Sequence, residues 1–275
     1  MGVRMNNQLL GYTPGNSFVY KLNATAKLLF FVLISVSAMT TYDTRFLAFV
    51  AVSSLVIFRL SGIPFRSVKR VAQFAALFAV LNIIFVFLFD PNYGARLYGS
   101  HTEIFGWLTA EELFYLFNLV LKYFCTIPLA LLFILTTNPS QFASSLNRIG
   151  IPYRSSYSVS LALRYIPDMQ EKFVAIRNAQ EARGMELSKK GNLLNKIKMN
   201  VQLMLPLIFS SLEQIDSVST AMELRRFGKR KKRTWYSFVP LKTADFVLIG
   251  LALLGVATVI ALFFVNQGRF FNPFR

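Results

Sequence analysis

Phe246-Val247-Leu248-Ile249-Gly250-Leu251-Ala252-Leu253-Leu254-Gly255-Val256-Ala257-Thr258-Val259-Ile260-Ala261-Leu262-Phe263-Phe264-Val265 carries twenty residues without a charge. At about 1.5 Å of rise per residue, such a run spans the ~30 Å hydrocarbon core of a bilayer as one helix. Four more apolar runs precede it: Ala24 to Thr41, Phe46 to Leu60, Val71 to Phe89 and Leu113 to Leu135. The second is short for a bilayer that wants roughly twenty residues, and has to borrow from its flanks. Composition agrees with this reading. The 275-residue chain is 54% hydrophobic and 16% charged, where a soluble domain has about a quarter of its residues charged. An all-α integral membrane protein with about five transmembrane helices is expected.

Breakers separate the runs: Gly62 and Pro64, Asp90-Pro91-Asn92, and Asn138-Pro139. Tyr98 and Trp107, in the loop before the fourth run, suit a membrane interface. Thr109-Ala110-Glu111-Glu112 fits a capping box, with the threonine hydroxyl accepting from a backbone N–H and Glu112 reaching back. Small residues (Ser35, Ser37, Ala38, Ala48, Ala51, Ser53, Ser54) crowd the first two runs. They serve either close packing within the chain or a smooth face for a partner.

Residues 136–242 differ from the rest. They hold eighteen Lys and Arg against seven Asp and Glu, a net of +11. The chain therefore divides into a membrane domain of four helices (1–135), a polar domain (136–242) and a C-terminal helix with its tail (243–275). Basic loops mark the cytoplasmic side, so the polar domain and the N-terminus are expected inside and the C-terminus outside. The N-terminal residues read as lacking a cleaved signal peptide. The net charge of +17 would suggest nucleic acid in a soluble protein; here it follows from orientation. The run Lys229-Arg230-Lys231-Lys232-Arg233 points to anionic lipid headgroups of the bilayer rather than nucleic acid.

Within the polar domain, Pro139 to Arg148 reads as a short helix, followed by two long ones, Tyr153 to Arg183 and Leu193 to Arg226. Val201 to Leu212 is apolar, but it is too short for a span and contains Pro206. Ile166, Met169, Phe173 and Ile176 form one apolar stripe, and Ile208, Leu212, Ile215 and Met222 another. The two stripes are expected to pack the long helices together. Gly184 and Gly228 are expected to end them. Arg183 and Arg225 then stand in equivalent last turns, in Glu181-Ala182-Arg183-Gly184 and Glu223-Leu224-Arg225-Arg226. A lone arginine there favours the helix dipole and nothing more. Recurrence points to binding, for which a planar guanidinium fork is suited.

Leu161-Ala162-Leu163-Arg164-Tyr165-Ile166-Pro167, Gln180 through Gly184, Pro206-Leu207 and Ala221 through Phe227 together resemble the transmembrane T component of energy-coupling factor (ECF) transporters. The resemblance implies a cytoplasmic domain of a short helix and two long, crossed coupling helices. It implies a non-catalytic subunit of an ABC importer in the plasma membrane of a bacterium. Its partners are two ABC-type ATPases and a membrane-embedded, substrate-binding S component, and its cargo a vitamin or other micronutrient. The positions that would dock into the ATPases are Ala182-Arg183-Gly184 and Leu224-Arg225-Arg226. The first fits the common Ala-Arg-Gly form; the second departs from it at both flanks.

The residues themselves exclude other classes. No Gly-x-x-x-x-Gly-Lys-Ser/Thr loop is present, so ATP belongs to partner chains and no cofactor is expected on this one. One His (His101), one Cys (Cys125) and no carboxylate cluster leave no metal site. No catalytic set stands out. Lys122 lies inside the fourth run, one turn from Asn118, as either a functional charge or a polar contact within the bundle. The alternative reading is a self-contained secondary transporter, or another polytopic membrane protein with a basic cytoplasmic domain. Such transporters tend to show repeats and midplane sites, whereas this sequence shows no inverted repeat and only one charged residue, Lys122, within a span.

Overall fold

Each apolar run read from the sequence is a helix. The computed structural model describes residues 15, 17–63, 65–90, 93–98, 103–105, 108–184, 193–229 and 234–273. His101, Trp107 and Arg230 to Arg233 lie outside them. The elements are α1 (Phe18–Lys21), α2 (Ala24–Thr40), α3 (Thr44–Leu60), α4 (Phe65–Phe89), α5 (Tyr93–Tyr98), β1 (Glu103–Phe105), β2 (Leu108–Thr109), α6 (Ala110–Thr136), α7 (Pro139–Arg148), α8 (Tyr153–Ala182), α9 (Leu193–Leu224) and α10 (Thr243–Val265). The protein is an all-α membrane protein, with β1 and β2 forming one small antiparallel ladder. Among the described residues, three helices are long and apolar enough to cross a bilayer: α4 over Val71–Phe89, α6 and α10. Helices α2 and α3 have seventeen residues each, about 26 Å of rise, so they need their flanks to span the core. Val201–Leu212 lies in the middle of α9.

The chain forms two units, residues 1–138 with 239–275, and residues 139–238. In the first, α6 is the central helix, packing against α2, α3, α4 and α5, while α10 lies along α2. Ile34, Ala38, Phe46, Leu47, Ala51, Cys125 and Leu129 make its core. Ser54 Oγ donates to the Phe124 carbonyl (3.1 Å) and Cys125 Sγ to that of Leu47 (3.1 Å). These contacts need small side chains at close backbone approach. Ser37, Ala38, Ala51 and Ser54 are thus buried within the chain.

Lys27, Asp43, Lys122 and Asp245, buried charges of this unit, serve helix ends, where backbone groups lack intrahelical partners. Lys27 Nζ donates to the Thr136 carbonyl at the end of α6 (3.0 Å). Lys122 Nζ donates to the Met39 carbonyl at the end of α2 (2.8 Å) and lies 3.2 Å from the Tyr42 ring centroid. Its partner is therefore not Asn118, which accepts from Thr44 Oγ1 (2.8 Å). Asp245 accepts from Asn23 N (2.8 Å) and Lys242 N (2.7 Å), tying the starts of α2 and α10. Asp43 accepts from Arg45 N (2.9 Å) and Asn266 Nδ2 (2.7 Å), tying the α2–α3 turn to the end of α10.

Two local expectations change. Thr109 Oγ1 does accept from Glu112 N (3.4 Å), but Glu112 Oε2 accepts from Gly94 N (2.6 Å) instead of completing the box. The close approach of α5 to α6 supplies that better donor. Tyr98 is buried rather than interfacial, its ring edge-on to Phe114 and Phe270. Burial pushes its hydroxyl up to about 12.

Candidate functional site

In the second unit α7 packs on α8, and α8 on α9. Lys172 Nζ meets Gln214 Oε1 (2.6 Å) and Ser211 Oγ meets Met169 Sδ (3.1 Å). Tyr157 of α8 lies 4.7 Å from Phe227, which follows α9. Pairs of residues 157 with 227 and 172 with 214 run in opposite senses, so the two helices are antiparallel. The far end of α9 sits beside the start of α8, held by an aromatic cluster of Tyr153, Tyr157, Phe227 and Trp235. Trp235 Nε1 also donates to Asn147 Oδ1 (3.1 Å), and Arg154 Nη2 to the Gly228 carbonyl (2.9 Å). Sequence reading missed this cluster. Tyr153 and Tyr157, one helical turn apart, were the available signal.

The two arginine triplets share one backbone. At the end of α8, Arg183 N donates to the Ala179 carbonyl (3.2 Å) and Gly184 N to that of Glu181 (3.0 Å), with Gly184 at φ +86°. After α9, Arg225 N donates to the Ala221 carbonyl (3.2 Å), Arg226 N to Glu223 (2.8 Å) and Phe227 N to Met222 (2.9 Å), with Arg226 at φ +53°. The second pattern is a Schellman motif, in which the residue after the cap turns left-handed. Arg226 therefore occupies the position that Gly184 holds in the first triplet. Gly228 does not end α9: the helix stops at Leu224, and Gly228 (φ +85°) turns the chain onto Arg154. The departure of the second triplet from Ala-Arg-Gly leaves the turn intact.

Arg183, Arg225 and Arg226 are all exposed, each arginine cap following a glutamate by two residues. Arg183 lies 26 residues along the chain from Tyr157, and thus about 39 Å from the end that carries Arg225. Ala182 and Leu224, the preceding residues, are exposed as well, Leu224 at 81%. The pair thus presents two separate cationic tips, one at each end of an antiparallel hairpin.

The stripes divide. Met169, Phe173 and Ile176 of α8 and Met222 of α9 are half-buried, while Ile166 is more exposed. Ile208, Leu212 and Ile215 are turned outward, 49%, 51% and 60% exposed. The inner row of α9 is instead Leu203, Leu207, Ser211, Gln214 and Val218. The middle of α9 is apolar on every side, so periodicity alone marked the wrong row. Among the described residues, no three His, Cys, Asp or Glu side chains gather as a metal site.

Comparison with known proteins adds the following. Residues 15–236 match the model of the CbiQ family, described as cobalt transport protein. The chain is similar to the energy-coupling factor transporter transmembrane protein EcfT of Lactococcus lactis subsp. cremoris, 27% identical over 258 residues, covering 89% of this chain and 94% of that one. It is 29% identical over 264 residues to EcfT of Lacticaseibacillus paracasei, covering 90% and 95%. It is 28% identical over 244 residues to EcfT of Staphylococcus aureus, covering 84% and 88%.

Proposed function

The chain belongs to the CbiQ family, the ECF transmembrane T components, and from that membership we propose that it couples two ABC-type ATPases to a substrate-binding S component. In this reading the polar domain and the N-terminus are cytoplasmic, the C-terminus is external, and the membrane is the plasma membrane of a bacterium. The subunit is non-catalytic: ATP is bound and hydrolysed on the two partners. The cargo is a vitamin or another micronutrient selected by the S component. Ala182-Arg183-Gly184 and Leu224-Arg225-Arg226 are the docking ends, and the α8–α9 hairpin carries the motion between them.

One observation carries the proposal: two helix ends of the same backbone geometry stand about 39 Å apart on one hairpin. That separation is too large for one groove and fits one grip on each of two subunits. Each arginine projects from a helix C-terminus, so its guanidinium reaches beyond the backbone to a partner's carboxylate or carbonyl. A secondary transporter is disfavoured by the use of Lys27, Lys122, Asp43 and Asp245 at helix ends, which leaves none of them for a midplane ion path.

Arg183→Ala with Arg225→Ala tests the reading through ATPase co-purification and substrate uptake. Breaking a desolvated charge pair costs roughly 2–5 kcal/mol per site, so assembly is expected to be lost while membrane insertion persists. Arg→Lys is expected to rescue only in part, because an ammonium lacks the fork. Arg226→Ala is expected to do less. Helix-dipole stabilisation alone is worth roughly 0.3–1 kcal/mol; normal assembly and uptake in the double variant would leave only that role.

A further inference from the structure

Helix α4 is a transmembrane segment in which none of residues 71–89 is buried. Its start packs on α6, with Val68 buried against Leu132 and Leu135, but beyond that contact its inner side leaves a cleft of about 670 Å³ toward α3 and α6. Between Val68 and Val80 the α4 wall is Ala72, Ala75, Ala76 and Ala79, side chains too short to close the gap. From Val68 to Ile83, both lining residues, the cleft runs about 22 Å along the helix axis. Tyr123 and Arg59 are its polar lining residues. Arg59 stands in the last turn of α3, exposed, with no carboxylate or other hydrogen-bond acceptor drawn to its guanidinium among the described residues. Lys69, in the first turns of α4, is exposed as well.

We propose that this cleft is a binding site for an anionic phospholipid, one acyl chain lying along the alanine wall and the headgroup phosphate on Arg59. A gap between spanning helices opens to hydrocarbon, not water. Left empty it forfeits dispersion contacts on both walls, and an apolar gap does not recruit water. An acyl chain is what the surroundings supply, and it is long and thin as the cleft is. The charge selects the headgroup: a guanidinium binds a phosphate in bidentate fashion, and basic pockets between transmembrane helices favour anionic lipids. With no Asp or Glu in the described lining, the site has no answering charge of its own.

The test purifies the full chain with its co-assembled partners from membranes and transfers it to nanodiscs of phosphatidylcholine with a minor share of phosphatidylglycerol. Retained lipid is counted by native mass spectrometry. Phosphatidylglycerol is expected to be enriched on the native protein. Arg59→Gln, a change at an exposed position, is expected to weaken that preference about fivefold while total retained lipid stays the same. Ala75→Phe fills the cleft and is expected to abolish retention of either lipid. Arg148→Gln, in the other unit, is expected to change nothing. Retention of the two lipids by the native protein in the same proportion as in the nanodisc overturns the proposal, as does an Arg59→Gln variant with native preference. Protection of Ala75→Cys from a membrane-permeant maleimide only when a protein partner is bound, with no lipid retained, assigns the cleft to that protein and overturns it too.

Discussion

Arg226→Gly is expected to strengthen the end of α9. A side chain in the left-handed region costs about 1–2 kcal/mol per residue, and Arg226 sits there at φ +53°. Glycine removes that cost but returns roughly 0.5–1 kcal/mol through its greater freedom in the unfolded chain. The net gain is about 0.5–1 kcal/mol, or roughly two- to fivefold in a local opening equilibrium. Two amides report it directly, Arg226 N–H on Glu223 (2.8 Å) and Phe227 N–H on Met222 (2.9 Å). Hydrogen exchange at positions 226 and 227 should slow by that factor. Arg226→Ala keeps the Cβ and deletes the guanidinium, so it separates backbone strain from side-chain contacts and is expected to give no such gain. The reciprocal change is Gly184→Ala. Gly184 has φ +86° and no atom within 4 Å of an added Cβ, so the cost is backbone strain alone. About 1 kcal/mol of strain should speed exchange at position 184 roughly fivefold. Equal exchange in the glycine and alanine variants at 226, or unchanged exchange in Gly184→Ala, would refute a shared backbone requirement at the two ends.

Gly94→Ala places a Cβ 2.6 Å from Glu112 Cα, and backbone cannot yield as a side chain does. The variant should lose about 1–3 kcal/mol, read as a lower melting temperature of the purified protein. Gly250→Ala, with open space around it, should be neutral or gain up to about 1 kcal/mol. Leu203→Asp buries a charge at a position 4% exposed and should cost several kcal/mol, seen as loss of protease resistance of residues 139–238. Leu212→Asp, at 51% exposure, should leave that resistance intact. Tyr98 is held protonated to about pH 12 in the fold but ionises near pH 10 when unfolded. Its contribution is therefore full below pH 10 and falls away between pH 10 and 12. Tyr98→Phe should flatten that part of the stability profile.

Much of the architecture was legible because its causes are local. In lipid, each backbone polar group must find a partner within its own helix, so run length and hydropathy suffice to place α2, α3, α4, α6 and α10. The ends of α7 and α8 were marked by their own residues, Pro139 and Gly184 among them. The two arginines were visible because a helix C-terminus and its last-turn cation are read along the chain. The inner row of α9 was not. Val201 to Leu212 offers apolar residues in every direction, and a periodic signal needs a polar face to contrast with.

By itself, then, the sequence determined a membrane protein of apolar helices, a basic domain between the fourth and fifth of them, and a pair of arginine-bearing helix ends. Tertiary structure alone decided which group each buried charge serves. Lys122 answers Met39 rather than Asn118, and Glu112 answers Gly94 rather than its own helix. It also decided that Arg226 takes the left-handed turn, that Leu203 faces inward while Leu212 faces outward, and that α4 leaves an open cleft beside its contact with α6. The physical reason is the same in each case. Helix formation follows from bonds within one segment, whereas a side chain's partner is set by the segment that arrives beside it.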